Sequence, residues 1–544
     1  MTRTSAAWGL LCWVLAAPAM AQEAASPATL PTFEELEAAG AIVGQIRINN
    51  QNIFDLDDPD ENNLPFRLAN KFHILTRPSV LRRSLIFQSG EPLSVRKIEE
   101  SERLLRANRY IYEVAIRPIA FHDGIADVEV ATRDTWTLEP GLSFSRAGGS
   151  NSSGLHFNDY NLLGTGVALG LSRKSDVDRT GTEYYVSNNH AFGTWTNLEY
   201  RHGKFNDGKS DSLTVDRPFY ALDTRWAAGL SATNQDSVSS TYSGGSIIGQ
   251  YVRKSNNASI YGGLSEGLVN GWAHRYSIGL QYQDDRYIPD PAFVATTSLP
   301  ADQRIVAPFV RYQLVQDDFE KLRNRDRVGR TEYFALGWQS TLQIGRATTG
   351  VGSTRDLWLY SASFSDGVRF EGGHNLLVSG STRGQYGDNG GEHQSIGFAA
   401  KYYRQQGGRG LFFASVSGDT VTNGDSTDQL LLGGDNGLRG YPLRYQTGMH
   451  RALFSMEQRG YTNWFPYRLF RVGGAIFFDI GRAWEGSNQN QANPGWLSDV
   501  GVGLRIFSDR AAFGNVLHLD IAFPLNAEPG IKSYQFLVKT KTSF

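Results

Sequence analysis

Cysteine is almost missing from this chain of 544 residues. Its single cysteine, Cys12, lies inside the N-terminal segment considered below. A chain without further cysteines forms no disulfide, offers no thiolates to a metal ion and has no cysteine nucleophile. We therefore exclude a disulfide scaffold, a cysteine-ligated metal site and thiol catalysis.

A charge excess and a long apolar run are lacking as well. The chain has 53 basic and 55 acidic side chains, a formal net charge of −2, whereas a nucleic-acid-binding surface shows basic excess. After the N-terminal segment no apolar run reaches the roughly 18 residues of a transmembrane helix, which excludes a helical membrane protein. A membrane β-barrel is still allowed, because its alternating strands average to a polar-looking chain.

Residues 1–21 have the order of a secretory signal peptide. Arg3 supplies a positive start, residues 10–17 are apolar, and the Ala-Met-Ala of residues 19–21 fits a cleavage site. A short buried helix is the alternative, but it does not account for this order. We expect export, and we interpret residues 22–40, rich in Ala, Pro and Thr, as a leader or linker.

The periodicity of residues 41–138 predicts a small α+β domain. Its elements are a strand at 42–48, helical stretches near 66–75 and 80–87, a helix capped by Ser94, and strands at 112–116 and 128–132. The order is therefore strand, helices, strand, strand.

From residue 139 to residue 544 alternation replaces helical periodicity. Clear examples are residues 167–172, 334–344, 395–402 and 500–506. One face is apolar and aromatic, and the other consists of Gly, Ser, Gln, Lys and Arg. A soluble β-sandwich also alternates, but so long a repeat of polar against apolar faces favours a transmembrane barrel with a wet lumen, of roughly 16 to 20 strands. The terminal aromatic residue, Phe544, agrees with this interpretation.

A glycine-rich loop at residues 433–442 interrupts this pattern. Its centre reads Gly437-Leu438-Arg439-Gly440-Tyr441. Glycine, Asn and Pro at these positions forbid a regular strand and predict tight turns. An outer loop with an incidental arginine is the alternative for this tripeptide taken alone.

Acidic residues on two later strands favour a functional loop. Alternation places Glu457 on the polar face of its strand, and Asp479 and Gly481 on the face opposite the lipid-facing one. A loop folded into the lumen could set Arg439 against Asp479, with Glu457 nearby. A charge-assisted pair in a partly desolvated lumen would fix the loop more firmly than a surface pair.

These motifs resemble those of the BamA/TamA-type outer-membrane assembly-factor superfamily, which includes the two-partner secretion translocators. There, a loop with hydrophobic-Arg-Gly-Phe/Tyr enters the barrel, here 438–441, and its Arg meets the Asp of a Phe-x-Asp-x-Gly strand, here 477–481. Residues 41–138 resemble one POTRA domain, the family's periplasmic βααββ module. Residues 161–166 resemble its early periplasmic turn, and Phe544 its terminal assembly signal. The family usually has sixteen strands and often several POTRA units, so the resemblance implies a short, single-POTRA member rather than the essential BamA homologue.

The resemblance implies a monomeric, non-enzymatic barrel in the bacterial outer membrane, with the POTRA-like domain in the periplasm. Its partners would be outer-membrane lipids and an unfolded outer-membrane or secreted protein client, which the POTRA receives by strand addition. The barrel would insert or translocate that client at a seam between its first and last strands. A channel or lipid conduit without protein clients is the alternative, and a surface antigen ranks last because the loops look short.

Enzyme motifs find no support. Residues 263–267 match the Gly-x-Ser-x-Gly pattern of a nucleophile elbow, but that motif needs a strand–turn–helix and here lies in an alternating stretch. The ten histidines show no metal-ligand spacing, and residues 164–166 lack the βαβ unit of a nucleotide loop. We predict no catalytic residue, no cofactor and no metal.

Overall fold

The computed structural model describes residues 30–291, 293, 298–323, 325, 330–485, 495–508, 510–512 and 516–541. The predicted signal peptide and Phe544 lie outside these residues. None of the described helices is both long and apolar enough to cross a membrane.

The N-terminal unit, residues 33–134, contains all four α-helices of the described chain and a three-stranded sheet. Its elements are α1 (Phe33–Ala38), β1 (Ile42–Gln51), α2 (Leu64–Phe72), α3 (Pro78–Arg83), α4 (Val95–Arg106), β2 (Ile111–His122) and β3 (Ile125–Asp134). The sheet order is β1–β3–β2, with β1 parallel and β2 antiparallel to β3. Val43, Leu105 and Val128 belong to its buried core. Helix α4 starts directly after Ser94 as predicted, but the Ser94 side chain makes no capping hydrogen bond.

The rest of the described chain is almost entirely β-structure. Its strands are β4 (Leu138–Ala147), β5 (Ser150–Asp159), β6 (Val167–Ser175), β7 (Thr180–Ala191), β8 (Thr196–Phe205), β9 (Gly208–Arg217), β10 (Trp226–Ser243), β11 (Ser246–Val269), β12 (Trp272–Pro289), β13 (Gln303–Gln316), β14 (Phe319–Arg323), β15 (Thr331–Ala335), β16 (Gln339–Ala347), β17 (Leu357–Phe370), β18 (His374–Gly387), β19 (Gly390–Gln406), β20 (Gly410–Thr422), β21 (Leu430–Leu432), β22 (Gln446–Gly448), β23 (His450–Tyr461), β24 (Phe470–Trp484), β25 (Leu497–Ser508), β26 (Val516–Pro524) and β27 (Gln535–Lys541).

Twenty of these strands form one closed antiparallel barrel, in which β27 returns to β4. The predicted mostly-β barrel is therefore confirmed. The sixteen strands that the resemblance implied are wrong, whereas the upper end of the count from alternating segments agrees with the structure. The count from alternating segments depends on this chain's own residues, whereas a strand number carried over from a family does not.

The outer face of the barrel is apolar. Large side chains that point outward and stay exposed include Leu142, Leu155, Leu171, Ile260, Ile278, Val310, Ile396, Ile476 and Val502. Neighbouring strands pair along the barrel wall, as a spanning structure requires in lipid, except that β27 and β4 share a single residue pair. The inner face has polar contacts, such as the hydrogen bond from Arg311 Nε to Gln343 Oε1 at 2.8 Å. The barrel thus has the surface of one that spans a bilayer.

The alternating segment at residues 334–344 is not one strand. Strand β15 ends at Ala335, and β16 begins at Gln339. The amides of Leu336 and Gly337 both donate to the carbonyl oxygen of Asp318, at 2.9 Å each, which turns the chain between the two strands. β14 and β15 form a separate hairpin at the proximal end of the barrel, the end at which the N-terminal unit lies.

Candidate functional site

The predicted loop lies in the long connection between β20 and β23 and folds into the lumen. Leu438 and Tyr441 are fully buried. Gly437 has a φ of 125°, and a Cβ there would lie 2.2 Å from Leu453 Cδ2. Glycine is therefore required at this position, both for the backbone conformation and for the close approach to β23.

Arg439 is the centre of the site. Its Nε donates to Asp479 Oδ2 at 2.6 Å and its Nη2 to Asp479 Oδ1 at 2.9 Å, a two-bonded pair. Its Nη1 donates to Glu457 Oε1 at 2.6 Å. The guanidinium also lies over the ring of Phe477, 3.4 Å from the ring centroid. Only a planar guanidinium satisfies two carboxylates and stacks on an aromatic ring at the same time.

Further charges extend this pair into a network across β23 to β26. Arg459 Nε donates to Glu457 Oε2 at 2.9 Å, and Arg505 Nη2 lies 3.3 Å from Glu457 Oε1. Arg505 also pairs with Asp520, whose Oδ2 is 3.6 Å from Arg439 Nη1. All five side chains are buried.

Such a network fixes geometry more than it adds stability. Desolvation of buried charges offsets much of their attraction, but removal of one partner leaves an uncompensated charge and costs about 3–5 kcal/mol. The loop position that satisfies Asp479 and Glu457 is therefore strongly preferred over others.

Two neighbours of Arg439 anchor the loop against β25. The Gly440 amide donates to Asp499 Oδ2 at 3.0 Å. The Tyr441 hydroxyl lies within hydrogen-bond distance of the Ser498 carbonyl oxygen, at 3.1 Å, and of Asn526 Oδ1, at 2.8 Å. The motif is thus held by the arginine and by the two residues that follow it.

The loop connection also contacts both sides of the seam. β27 and β4 share one residue pair, Val538 with Arg146. On the β27 side, Lys539 Nζ donates to the Gly434 carbonyl oxygen at 2.8 Å. On the β4 side, the Leu443 amide donates to the carbonyl oxygen of Gly148, which follows β4, at 3.3 Å. The loop therefore bridges the weakest junction of the barrel from inside.

The N-terminal unit docks on the proximal end of the barrel. The predicted early turn takes part, since Asn161 Nδ2 donates to Thr76 Oγ1 at 2.7 Å and the Arg77 amide donates to the Gly164 carbonyl oxygen at 2.9 Å. Glu100 of α4 accepts a hydrogen bond from the Leu222 amide at 3.0 Å. Burial at this contact raises the pKa of the Glu100 carboxyl above its ordinary value.

The hairpin β14–β15 joins this unit to the lumen network. Lys321 Nζ donates to Glu102 Oε1 of α4 at 2.7 Å. On its other side, Arg325 Nη2 donates to Asn375 Oδ1 at 2.8 Å, and the Arg325 carbonyl oxygen accepts from Arg459 Nη1 at 3.3 Å. Contacts thus run from α4 through the hairpin to Arg459 and Glu457.

The structure brings together Arg439, Asp479 and Glu457, and it places Gly481 where a Cβ would lie 3.2 Å from Leu432 Cδ2. Sequence reasoning missed Asp499, which contacts the loop backbone. It also missed three charged residues of the network: Arg459, Arg505 and Asp520. The alternation of the strands could have pointed to these three residues, because each lies on the inward face of its strand. The roles of all these residues stay predictions.

The elbow-like pattern at residues 263–267 lies within β11 and not at a strand–turn–helix. In the described chain, His393, Asp425 and Asp428 have ligand atoms within 4.8 Å of one another and could hold a cation. His393 Nδ1 and Asp428 Oδ2 are 2.5 Å apart, and the Asp425 amide donates to the same oxygen at 3.1 Å. These hydrogen bonds account for the group as a cap on the short turn Ser426–Asp428.

No family model matches the chain, and no curated protein matches it in sequence. Three similar solved structures have low identity to this chain. BamA from Haemophilus ducreyi lacking POTRA domains 1–3 is 14% identical, with a TM-score of 0.38 over 92% of this chain and 84% of that one. CdiB from Escherichia coli is 12% identical, with a TM-score of 0.48 over 92% and 76%. CdiB from Acinetobacter baumannii is 11% identical, with a TM-score of 0.40 over 92% and 73%. The function is therefore inferred below from this chain's own residues.

Proposed function

We propose that the chain is an outer-membrane barrel that assists the insertion of outer-membrane proteins or the translocation of a polypeptide across that membrane. The observation that supports this proposal most directly is the loop around Arg439. This loop is buried in the lumen and contacts both sides of the β27–β4 seam. A simple pore does not need a loop of this kind. A barrel that opens at this junction needs such an element to control the opening.

The N-terminal unit would act as a single POTRA-like domain that receives the client. β2 is an edge strand of its sheet, since β3 is its partner within the sheet order β1–β3–β2. An edge strand offers unpaired backbone groups to an extended segment, which is the basis of strand addition. Among its described residues, the hairpin contacts the start of this edge, where Arg330 Nη2 donates to the Ile111 carbonyl oxygen at 3.0 Å.

The client would then pass through the lumen or along the seam. Opening the seam breaks one β27–β4 residue pair, whereas β4 and β5 share ten pairs and β26 and β27 share seven. Separation of β27 from β4 therefore breaks fewer backbone hydrogen bonds than separation at either neighbouring junction. Arg439 and Asp479 would set the shape of the lumen rather than perform chemistry.

A channel or lipid conduit without protein clients is the second candidate. The lumen contains a polar cavity of about 860 Å³, lined by charged side chains such as Arg253, Asp285, Arg383 and Glu392. A polar solute could cross such a cavity, and ion conductance alone does not separate this candidate from the first.

Deletion of residues 41–138 separates the two. If the chain handles a protein client, the deletion abolishes assembly or secretion of that client in cells, while conductance in planar bilayers is largely kept. Unchanged client levels in the deletion strain, with the barrel present in the membrane, would contradict the proposal and favour the conduit.

A further inference from the structure

Helix α2 of the N-terminal unit has an apolar stripe that nothing in the described chain covers. Leu64, Leu68 and Phe72 recur every four residues along one side and are 67%, 42% and 70% exposed. Side chains at this spacing form one face of a helix. Exposed apolar faces of this kind mark an interaction surface.

The other two sides of α2 have different surroundings. Phe66 is buried and stacks on Phe54, with ring centroids 3.9 Å apart, in a cluster that includes Trp136 and Leu469 of the barrel. Arg67 and Lys71 are exposed on the remaining side. The helix thus has a protein-facing side, an apolar side and a basic side.

The segment around α2 is fixed beneath the seam. Asp60 pairs with Arg468, in the turn between β23 and β24, and Glu61 pairs with Arg510, in the turn after β25. After α2, the Arg77 amide donates to the Gly164 carbonyl oxygen in the turn between β5 and β6. These turns flank β27 and β4 on either side.

The rim turns that the α2 segment contacts also have exposed apolar residues. Leu163 in the turn after β5 is 55% exposed, and Trp464 and Tyr467 in the turn after β23 are 65% and 82% exposed. Aromatic residues at such a rim mark the level of the membrane interface. The segment that contains the stripe is thus attached to rim turns with exposed apolar side chains.

We propose that α2 lies in the plane of the membrane, directly below the seam, in the leaflet at the proximal end of the barrel. Its apolar stripe would enter the acyl region, and Arg67 and Lys71 would reach the phosphates of the lipid headgroups. An in-plane helix combines just such an apolar face with flanking basic residues. The proposal rests on the membrane placement of the barrel, not on its handling of a client.

This placement has a consequence for the seam. A helix inserted in one leaflet displaces lipid beside β27 and β4. These two strands share a single residue pair. The N-terminal unit would therefore be held at the seam by lipid as well as by its ion pairs with the rim.

Spin labelling tests the proposal, because Cys12 is the only native cysteine. The full chain in a Cys12→Ser background is labelled at Phe72→Cys and reconstituted in nanodiscs of phosphatidylethanolamine and phosphatidylglycerol. Ile278→Cys on the outer face of β12 serves as the lipid-facing reference, and Phe121→Cys on β2 as the exposed reference in the same unit. Collision with oxygen and with a water-soluble nickel chelate is measured for each label.

We expect the Phe72 label to resemble the Ile278 label, with high oxygen and low nickel accessibility, while the Phe121 label stays accessible to nickel. A Phe72 label as accessible to nickel as that at Phe121, with Ile278 still shielded, would overturn the proposal and leave the barrel placement intact. A Phe72 label shielded from both reagents would also overturn it, because protein would then cover the stripe. A nickel-accessible Ile278 label would contradict the membrane placement itself.

Discussion

The Leu443 amide donates to the Gly148 carbonyl oxygen across 3.3 Å, so the lumen loop contacts the turn that follows the first barrel strand. Nine residues earlier in the same connection, the Gly434 carbonyl oxygen accepts from Lys539 of the last barrel strand. Together the two contacts connect the strands that share a single residue pair. A displacement of the loop would therefore change contacts on both sides of the seam.

Substitution of Arg439 tests the role of the loop. Arg439→Ala leaves Asp479 and Glu457 without their shared guanidinium, at a cost of about 3–5 kcal/mol. We expect reduced client assembly or secretion, with a barrel that still folds. Client levels are measured by quantitative immunoblotting, and folding by the shift of the unheated barrel on denaturing gels.

Arg311→Ala is the matched control for that variant. Arg311 also points into the lumen, where its Nε donates to Gln343, but it is not part of the network around Arg439. We expect client levels with the Arg311→Ala variant to equal those with the wild-type protein. Normal client levels in the Arg439→Ala variant would contradict the proposal that client assembly or secretion needs the loop motif.

The fit between the loop and the turn after β4 leaves no room for a methyl group. A Cβ at Gly434 would lie 2.5 Å from the Gly148 Cα and from the Tyr441 carbonyl oxygen. We expect Gly434→Ala to displace the loop and to raise its cleavage by an added protease. At Gly460 a Cβ would have no neighbour within 4 Å, so Gly460→Ala should behave as wild type. Equal cleavage of the two variants would argue against the tight fit.

A disulfide across the seam tests whether the seam opens. Arg146 and Val538 face each other, and Arg146→Cys with Val538→Cys should cross-link on oxidation in a Cys12→Ser background. We expect the oxidised barrel to lose client handling and to recover it on reduction, as measured by client assembly in reconstituted membranes.

The control cross-link joins Val416→Cys to Phe454→Cys, a facing pair between β20 and β23. This junction lies away from the seam, so its oxidation should leave client handling unchanged. If both oxidised barrels stay active, the client does not need an open seam.

The hairpin β14–β15 should narrow the proximal mouth of the barrel. Phe334 lies against Tyr403, with ring centroids 6.0 Å apart, and Arg325 reaches Asn375. Replacement of residues 319–335 by a short Gly-Ser linker should therefore raise single-channel conductance in planar bilayers. An unchanged conductance would mean that the hairpin does not obstruct the pathway.

Alternation was enough to predict the barrel and the inward faces of Glu457 and Asp479, because the side chains of a strand alternate with a period of two. It did not reveal the hairpin β14–β15. Residues 334–344 alternate across its end, although two hydrogen bonds to the Asp318 carbonyl oxygen turn the chain between β15 and β16. The pattern of residues 334–344 does not reveal that Asp318 is their hydrogen-bond partner.

The wider ion network was missed for a related reason. Arg505 and Asp520 occupy inward positions of neighbouring strands, but their pairing depends on the register between β25 and β26. Register is set by turns and by barrel closure rather than by one strand's pattern. The exposure of α2 was likewise hidden, because a helical period does not tell which side the rest of the chain leaves uncovered.

Comparative proteomics after deletion of the gene tests the central claim most directly, with the outer-membrane and culture-medium fractions quantified separately. The proposed function predicts the loss of particular barrels from the membrane fraction, for an insertase, or of one or a few proteins from the medium, for a translocator. If neither fraction changes, the protein-client function is contradicted, and passage of lipid or solute becomes the better account.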